Sequence, residues 1–347
     1  MLNRSRIIFI LIGIITLPLI YFADLNIEIF VESTFYNVSI RTSLALGLYA
    51  SVYGIDRTSL RQEISTIASA VTIGVLLKII IISTLFYFIS GGSVVAFLLG
   101  AIVAQIDPLS VASLSKGGRL SNRGQTVLRA WSSFDDPMTV IIALFMSVLL
   151  LQTNSWQNNL TLILIDYGWN SLLALGTFIL YITLSQTYVY KNKLEILILL
   201  GAIALAVQFN LMLGIAIIGL FIRPNIETLI NNLIDFVFVS ATFLIALFLF
   251  IDGIQIGLGL ALGLCAIIAQ FVVALILTRG FTTADRIYLA LAQQNGITAI
   301  ILALTFETNF PGTIVSIVAP AIITINLIYF LTNRLTPTQI TNWTTKA

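Results

Sequence analysis

Trp131-Ser132-Ser133-Phe134-Asp135-Asp136-Pro137 decides how this chain is read. The stretch lies near the middle of a long apolar run, Arg123 to Leu151, and is followed at once by Met138-Thr139-Val140-Ile141-Ile142-Ala143-Leu144-Phe145. An aspartate at the centre of a membrane helix costs about 2.5–3.5 kcal/mol on insertion. An acid kept at membrane depth is therefore by default a functional group. If Asp135-Asp136-Pro137 only capped a helix starting at Met138, Met138–Leu151 alone would be left to span, whereas about 20 apolar residues are needed. The acids sit inside the span instead, with Asp136 the fourteenth residue from Arg123. Successive helical residues point about 100° apart, so one carboxylate can face a cavity while the other faces a neighbouring helix. Burial and the adjacent charge tie the protonation of each acid to its surroundings, as exchange of H+ for a metal cation requires.

Two further interruptions work outward from this one. In Ala101-Ile102-Val103-Ala104-Gln105-Ile106-Asp107-Pro108-Leu109 a proline stops an otherwise apolar helix, because it lacks an N–H and clashes with the preceding turn. Asp107 can cap the positive end of the half-helix that follows. In Ala292-Gln293-Gln294-Asn295-Gly296-Ile297 an Asn-Gly pair breaks a second helix. Broken helices at membrane depth are tolerated only inside protein or beside a water-filled cavity.

Composition sets the frame. Of 347 residues, 59% are hydrophobic and 9% charged, and mean hydropathy is +1.04. Soluble domains carry roughly 25% charged residues, so this is a membrane protein. A net charge of +2 gives no reason to expect nucleic acid as a partner. There is no histidine, which removes His metal ligands and His proton relays, and the single Cys265 excludes a disulfide framework.

Twelve apolar segments are long enough to be counted: 7–23, 38–54, 63–89, 93–118, 123–151, 160–187, 194–207, 210–222, 230–251, 256–278, 285–308 and 312–334. The first, behind Arg4 and Arg6, lacks a small-x-small cleavage site and reads as a membrane helix, not a signal peptide. The short seventh and eighth form a hairpin turning at Gln208-Phe209-Asn210. Taken alternately, the connections put 14 of the 17 Lys and Arg on one side, so both termini are expected in the cytoplasm. Arg41 and Arg129, near segment ends, can snorkel. Lys78, sixteenth in the run 63–89, cannot easily do so. Segments 3–5 and 10–12 are offset by seven, an odd number, and so run in opposite directions. Paired breaks in segments 4 and 11 of such inverted halves point to a transporter site. The fold expected is an all-α polytopic membrane protein of about twelve transmembrane helices, with inverted repeats and two crossed discontinuous helices, 4 and 11, in one membrane domain, 1–347.

The quoted motifs resemble the monovalent cation:proton antiporter superfamily, the sodium/proton exchangers. The run from Ala96 through Asp107-Pro108 and Asp135-Asp136 to Phe145 is similar to that family's Thr-Asp-Pro helix, basic loop and Glu-Ser-x-x-Asn-Asp helix. The resemblance extends from about Leu46 to Leu304. It implies Asp136 as the essential ion- and proton-binding carboxylate, with Asp107 matching the aspartate of the unwound helix. It places Asp135 where the electrogenic branch has Asp and Ser132 at the family serine. Asp136 and Asp107 are the implied Na+ ligands, with Lys78, Asn295, Gln270 and Pro108 in support. It implies core helices at 63–151 and 256–334 moving against dimer-forming scaffold helices at 7–54 and 160–251. A homodimer in the cell (inner) membrane is the expected assembly.

The departures are informative. Trp131 stands for the family's glutamate, Gln270 for its helix-10 arginine or lysine, Asn295 for the arginine of Gly-x-Arg-Gly, and Ile106 for the threonine before Asp-Pro. The family's buried acid and its cation are missing together. Losing only one would leave an uncompensated charge, at a cost of about 3–5 kcal/mol. Lys78 is expected to supply a relocated cation, pairing with Asp135 or Asp136. The function expected is Na+ (or Li+ or K+)/H+ antiport, with those ions, protons and the bilayer as the only partners, no cofactor and no enzymatic activity. A sodium-coupled solute symporter and a non-transporting relative or sensor are the alternatives.

Overall fold

The computed structural model describes residue 30 and residues 33–53, 63–107, 120–151, 156–185, 191–294 and 297–344. The first apolar segment, 7–23, lies outside them. Twelve helices run through the described residues: α1 Thr34–Tyr53, α2 Ile64–Ile89, α3 Ala96–Val103, α4 Asn122–Leu151, α5 Trp156–Ser185 and α6 Lys191–Phe209. They continue as α7 Met212–Ile218, α8 Glu227–Asp252, α9 Ile256–Leu277, α10 Thr283–Ala290, α11 Ile297–Glu307 and α12 Ile314–Thr344. Seven are long and apolar enough to cross a membrane, and α11 is a shorter apolar helix. Their outer faces carry large exposed side chains, such as Leu172, Leu175 and Ile179 on α5 and Leu260, Leu264 and Ile268 on α9. A water-soluble protein rarely shows continuous apolar faces of this extent, whereas lipid covers them without cost. The fold is an all-α polytopic membrane protein.

The described residues fall into two compact units. One is drawn from Met1–Gly54, Leu151–Gly253 and Ile300–Val315, the other from Ile55–Leu150, Ile254–Ala299 and Ser316–Ala347. In the first, tyrosine hydroxyls of α1 donate to backbone carbonyls: Tyr36 to Leu304 at 3.1 Å and Tyr49 to Ile222 at 3.1 Å. Asn170 of α5 accepts from the Gly214 N–H of α7 at 2.8 Å. The turn between α6 and α7 runs through Asn210 at φ 59°, a left-handed conformation that asparagine tolerates better than most residues.

The second unit carries all three sequence interruptions. Its scaffold is α2 packed on α9 and α3. Between α9 and α12 the approach is close because of two glycines four residues apart. A Cβ on Gly259 would collide with Pro320, and one on Gly263 would lie 3.0 Å from the Ala321 carbonyl and from Thr324 Cβ. Small residues at this spacing let membrane helices touch backbone to backbone. Glycines 253 and 257 of the same stretch have nothing within contact distance. In α2 one turn widens to a π-helix, Ala70–Gly74. The next turns bury Val75, Lys78, Ile79, Ile82, Ser83 and Phe86, a single stripe at helical spacing.

The two helix breaks meet. α3 ends at Val103 and α10 at Ala290, and the chain beyond each leaves the helix. Ile106 pairs with Gln294 in an antiparallel bridge, and the Asp107 N–H donates to the Gln293 carbonyl at 2.9 Å. Each break thus satisfies backbone groups that the other leaves open, as an apolar surrounding requires. These are the two discontinuous helices. The second half of segment 4, Pro108 included, lies outside the described residues, as does the Asn295-Gly296 pair.

Candidate functional site

α4 runs unbroken through the acids, with Pro137 inside it. Proline leaves the Ser133 carbonyl without its usual helical donor. The Thr139 hydroxyl reaches back to the carbonyls of Asp135 and Asp136, at 3.0 and 2.9 Å. The two carboxylates project to different neighbours. Asp135 Oδ2 accepts from Lys78 Nζ at 2.5 Å and from the Ile106 N–H at 2.9 Å. Lys78 and Asp135 are both 0% exposed. The Lys78 ammonium also lies 5.4 Å from the centroid of the Trp131 ring, within range of a cation–π attraction. One carboxylate thus receives a full positive charge from α2 and a backbone donor from the first break.

Among the described residues no cation pairs with Asp136. Its Oδ2 accepts from the Thr298 hydroxyl at 3.0 Å, and among the described residues its Oδ1 has no hydrogen-bond partner, although the residue is only 2% exposed. Other buried polar atoms around the breaks also lack a partner among the described residues: Asp135 Oδ1, Gln105 Oε1, Gln270 Oε1 and both amide atoms of Gln294. Buried polar groups of this kind are ordinarily met by protein, ordered water or an ion. Beside the second break is a cavity of about 20 Å³ lined in part by Gln270, Gln293, Gln294 and Tyr329.

The other residues singled out from the sequence take distinct places. Asp107 stands partly buried at the first break. The Ser132 hydroxyl donates to the Arg129 carbonyl of its own helix at 3.0 Å. The Gln270 amide donates to the Leu289 carbonyl at 2.9 Å, closing the open C-terminal end of α10. Trp131 packs in an apolar cluster with Ala70, Ile106, Leu128, Val273 and Leu289. Pro108 and Asn295 lie outside the described residues. Thr298 and the Ile106 N–H belong to the site but were not singled out from the sequence. The one available signal for Thr298 is a hydroxyl two residues past Gly296, at the start of a half-helix. Among the described residues no group of three or more His, Cys, Asp or Glu is placed to hold a metal ion.

The model of the transmembrane sodium/hydrogen exchanger family matches residues 6–336, nearly the whole chain. The chain belongs to the sodium/hydrogen exchanger family. Among solved structures it is similar to the sodium proton antiporter MjNhaP1 from Methanocaldococcus jannaschii at pH 8, with a TM-score of 0.66 and 16% identity over 94% of this chain and 95% of that one. An electron-microscopy map of the same antiporter gives a TM-score of 0.64 and 19% identity, over 94% of this chain and 88% of that one. At such identity the likeness is one of fold. No match was found among curated protein sequences. Within this exchanger family the chain keeps the adjacent acids on an unbroken helix beside two helix breaks, and its buried ion pair joins α2 to α4.

Proposed function

We propose that this exchanger carries Na+ inward or outward against protons by alternating access, and that H+ and the cation compete for Asp136. The observation that carries the reading is the asymmetry of the two acids. Both acids leave Oδ1 without a partner among the described residues, but Asp135 is paired with the Lys78 ammonium, whereas Asp136, equally buried, is met there by the Thr298 hydroxyl and no cation. An uncompensated carboxylate at membrane depth is costly. It is relieved either by a proton or by a monovalent cation, and occupation by one excludes the other. That exclusion couples the two fluxes. Asp107 and the carbonyl groups of the breaks add oxygen ligands, which suit a hard alkali cation. The positive-charge bias of the connections supports both termini in the cytoplasm; residence in the cell membrane and a homodimeric assembly are carried over from the family resemblance.

The test uses liposomes with a lumenal pH dye, pulsed with Na+, Li+ and K+ at several pH values beside Asp136→Asn. A cation-driven pH change that is lost in the variant is expected. The apparent KM for the cation should rise as pH falls, since protons then occupy more of the site. A potassium/valinomycin clamp reads whether exchange moves net charge. Folded wild-type protein that gives no pH change with any of the three cations sinks the antiport reading.

A further inference from the structure

We infer that Thr298 is a direct oxygen ligand of the transported cation and sets the preference of the site among monovalent cations. The inference rests on the antiport reading and deepens it by naming a second ligand beside Asp136. Thr298 is fully buried, and its hydroxyl donates to Asp136 Oδ2 at 3.0 Å. The two oxygens come from different helices, α11 and α4, and they converge beside the open Asp136 Oδ1. Other hydroxyls near the acids are committed elsewhere. Ser132 and Ser133 both donate to the Arg129 carbonyl, and Thr139 donates to the carbonyls of Asp135 and Asp136.

Thr298 escapes that fate because of its position. A threonine inside a helix bonds back to the carbonyl three or four residues earlier. Thr298 is the second residue of α11, so its own helix has no such carbonyl to offer. A hydroxyl has one proton to donate and two lone pairs. With the carboxylate alone, Thr298 donates to it. With a cation at Asp136, rotation about Cβ–Oγ1 turns a lone pair toward the ion. The fixed spacing of the two oxygens then discriminates between ions of different radius.

The experiment compares wild type, Thr298→Val and Thr298→Ser in the liposome assay, with Na+ and Li+ titrated separately at one pH. Thr298→Val is expected to raise the apparent KM for Na+ about tenfold or more, the scale of losing a hydrogen bond to a charged group, and to change the Li+:Na+ preference. Thr298→Ser should restore both to near wild type. An unchanged KM and preference in Thr298→Val overturns the inference, as does a fall in rate with KM and preference intact. If Thr298→Val does not fold, Thr298→Ala removes the oxygen without adding bulk and is read the same way. Should wild type give no exchange, the antiport reading fails by itself. Calorimetric titration of purified wild type and Thr298→Val with Na+ then decides about Thr298 separately: weaker binding in the variant supports the ligand, and equal binding overturns it.

Discussion

Asp135 and Asp136 are chemically identical neighbours whose surroundings give them different work. Asp135 shares Oδ2 between an ammonium and a backbone N–H, while Asp136 Oδ2 meets one hydroxyl; among the described residues Oδ1 of each is without a partner. Removing one partner of a buried pair strands the other charge at a cost of about 3–5 kcal/mol. Lys78→Met should therefore lower thermal stability in detergent strongly, and Lys78→Met with Asp135→Asn should recover much of it. A double-variant cycle by melting temperature measures the coupling; stabilities that simply add would show that the pair contributes nothing. At this scale the sequence was legible where cost is local. An acid or a lysine in an apolar run is conspicuous without any partner. Thr298 was not conspicuous, because a threonine is ordinary in a membrane helix and its meaning lies in a partner 162 positions away.

Helix ends and helix contacts belong to the next scale. Proline at 108 and Asn-Gly at 295–296 announce breaks in segments 4 and 11. The structure ends α3 and α10 just before them, at Val103 and Ala290. Their mutual bridge, Ile106 to Gln294, needed the fold, since backbone pairing leaves no side-chain signature. The structure separates Gly259 and Gly263, where an added Cβ would meet α12, from Gly257, where it would meet nothing within 4 Å. Enlarging a close-packed contact costs about 1–3 kcal/mol. Gly259→Val should thus destabilise the protein and disturb the second break through α9, whereas Gly257→Ala should be near neutral. Melting temperatures of the two variants side by side check this; equal effects would refute the α9–α12 contact.

Across the whole molecule, sidedness follows from charge. With 14 of 17 Lys and Arg in alternate connections, both termini should be cytoplasmic. Cys265 is the sole cysteine and is buried, so a Cys265→Ala background permits single-site labelling. A cysteine placed at Lys346 should react with an impermeant thiol reagent only from the cytoplasmic side, and one at Asn309 only from the outside. Labelling of both from one side would overturn the topology.

Residence in the membrane, the succession of apolar segments, the sites of interruption and the presence of costly acids were determined by the sequence alone. Each of these follows from local quantities: apolar run length, charge placement and backbone propensity. The tertiary structure decided which acid meets the lysine and which meets a threonine hydroxyl. That outcome depends on the rotation of α2, α4 and α11 about their axes, which brings residues 57 and 162 positions apart into contact. Hydropathy cannot encode it, because a helix that is apolar on nearly every side has no strong local reason to turn one face inward.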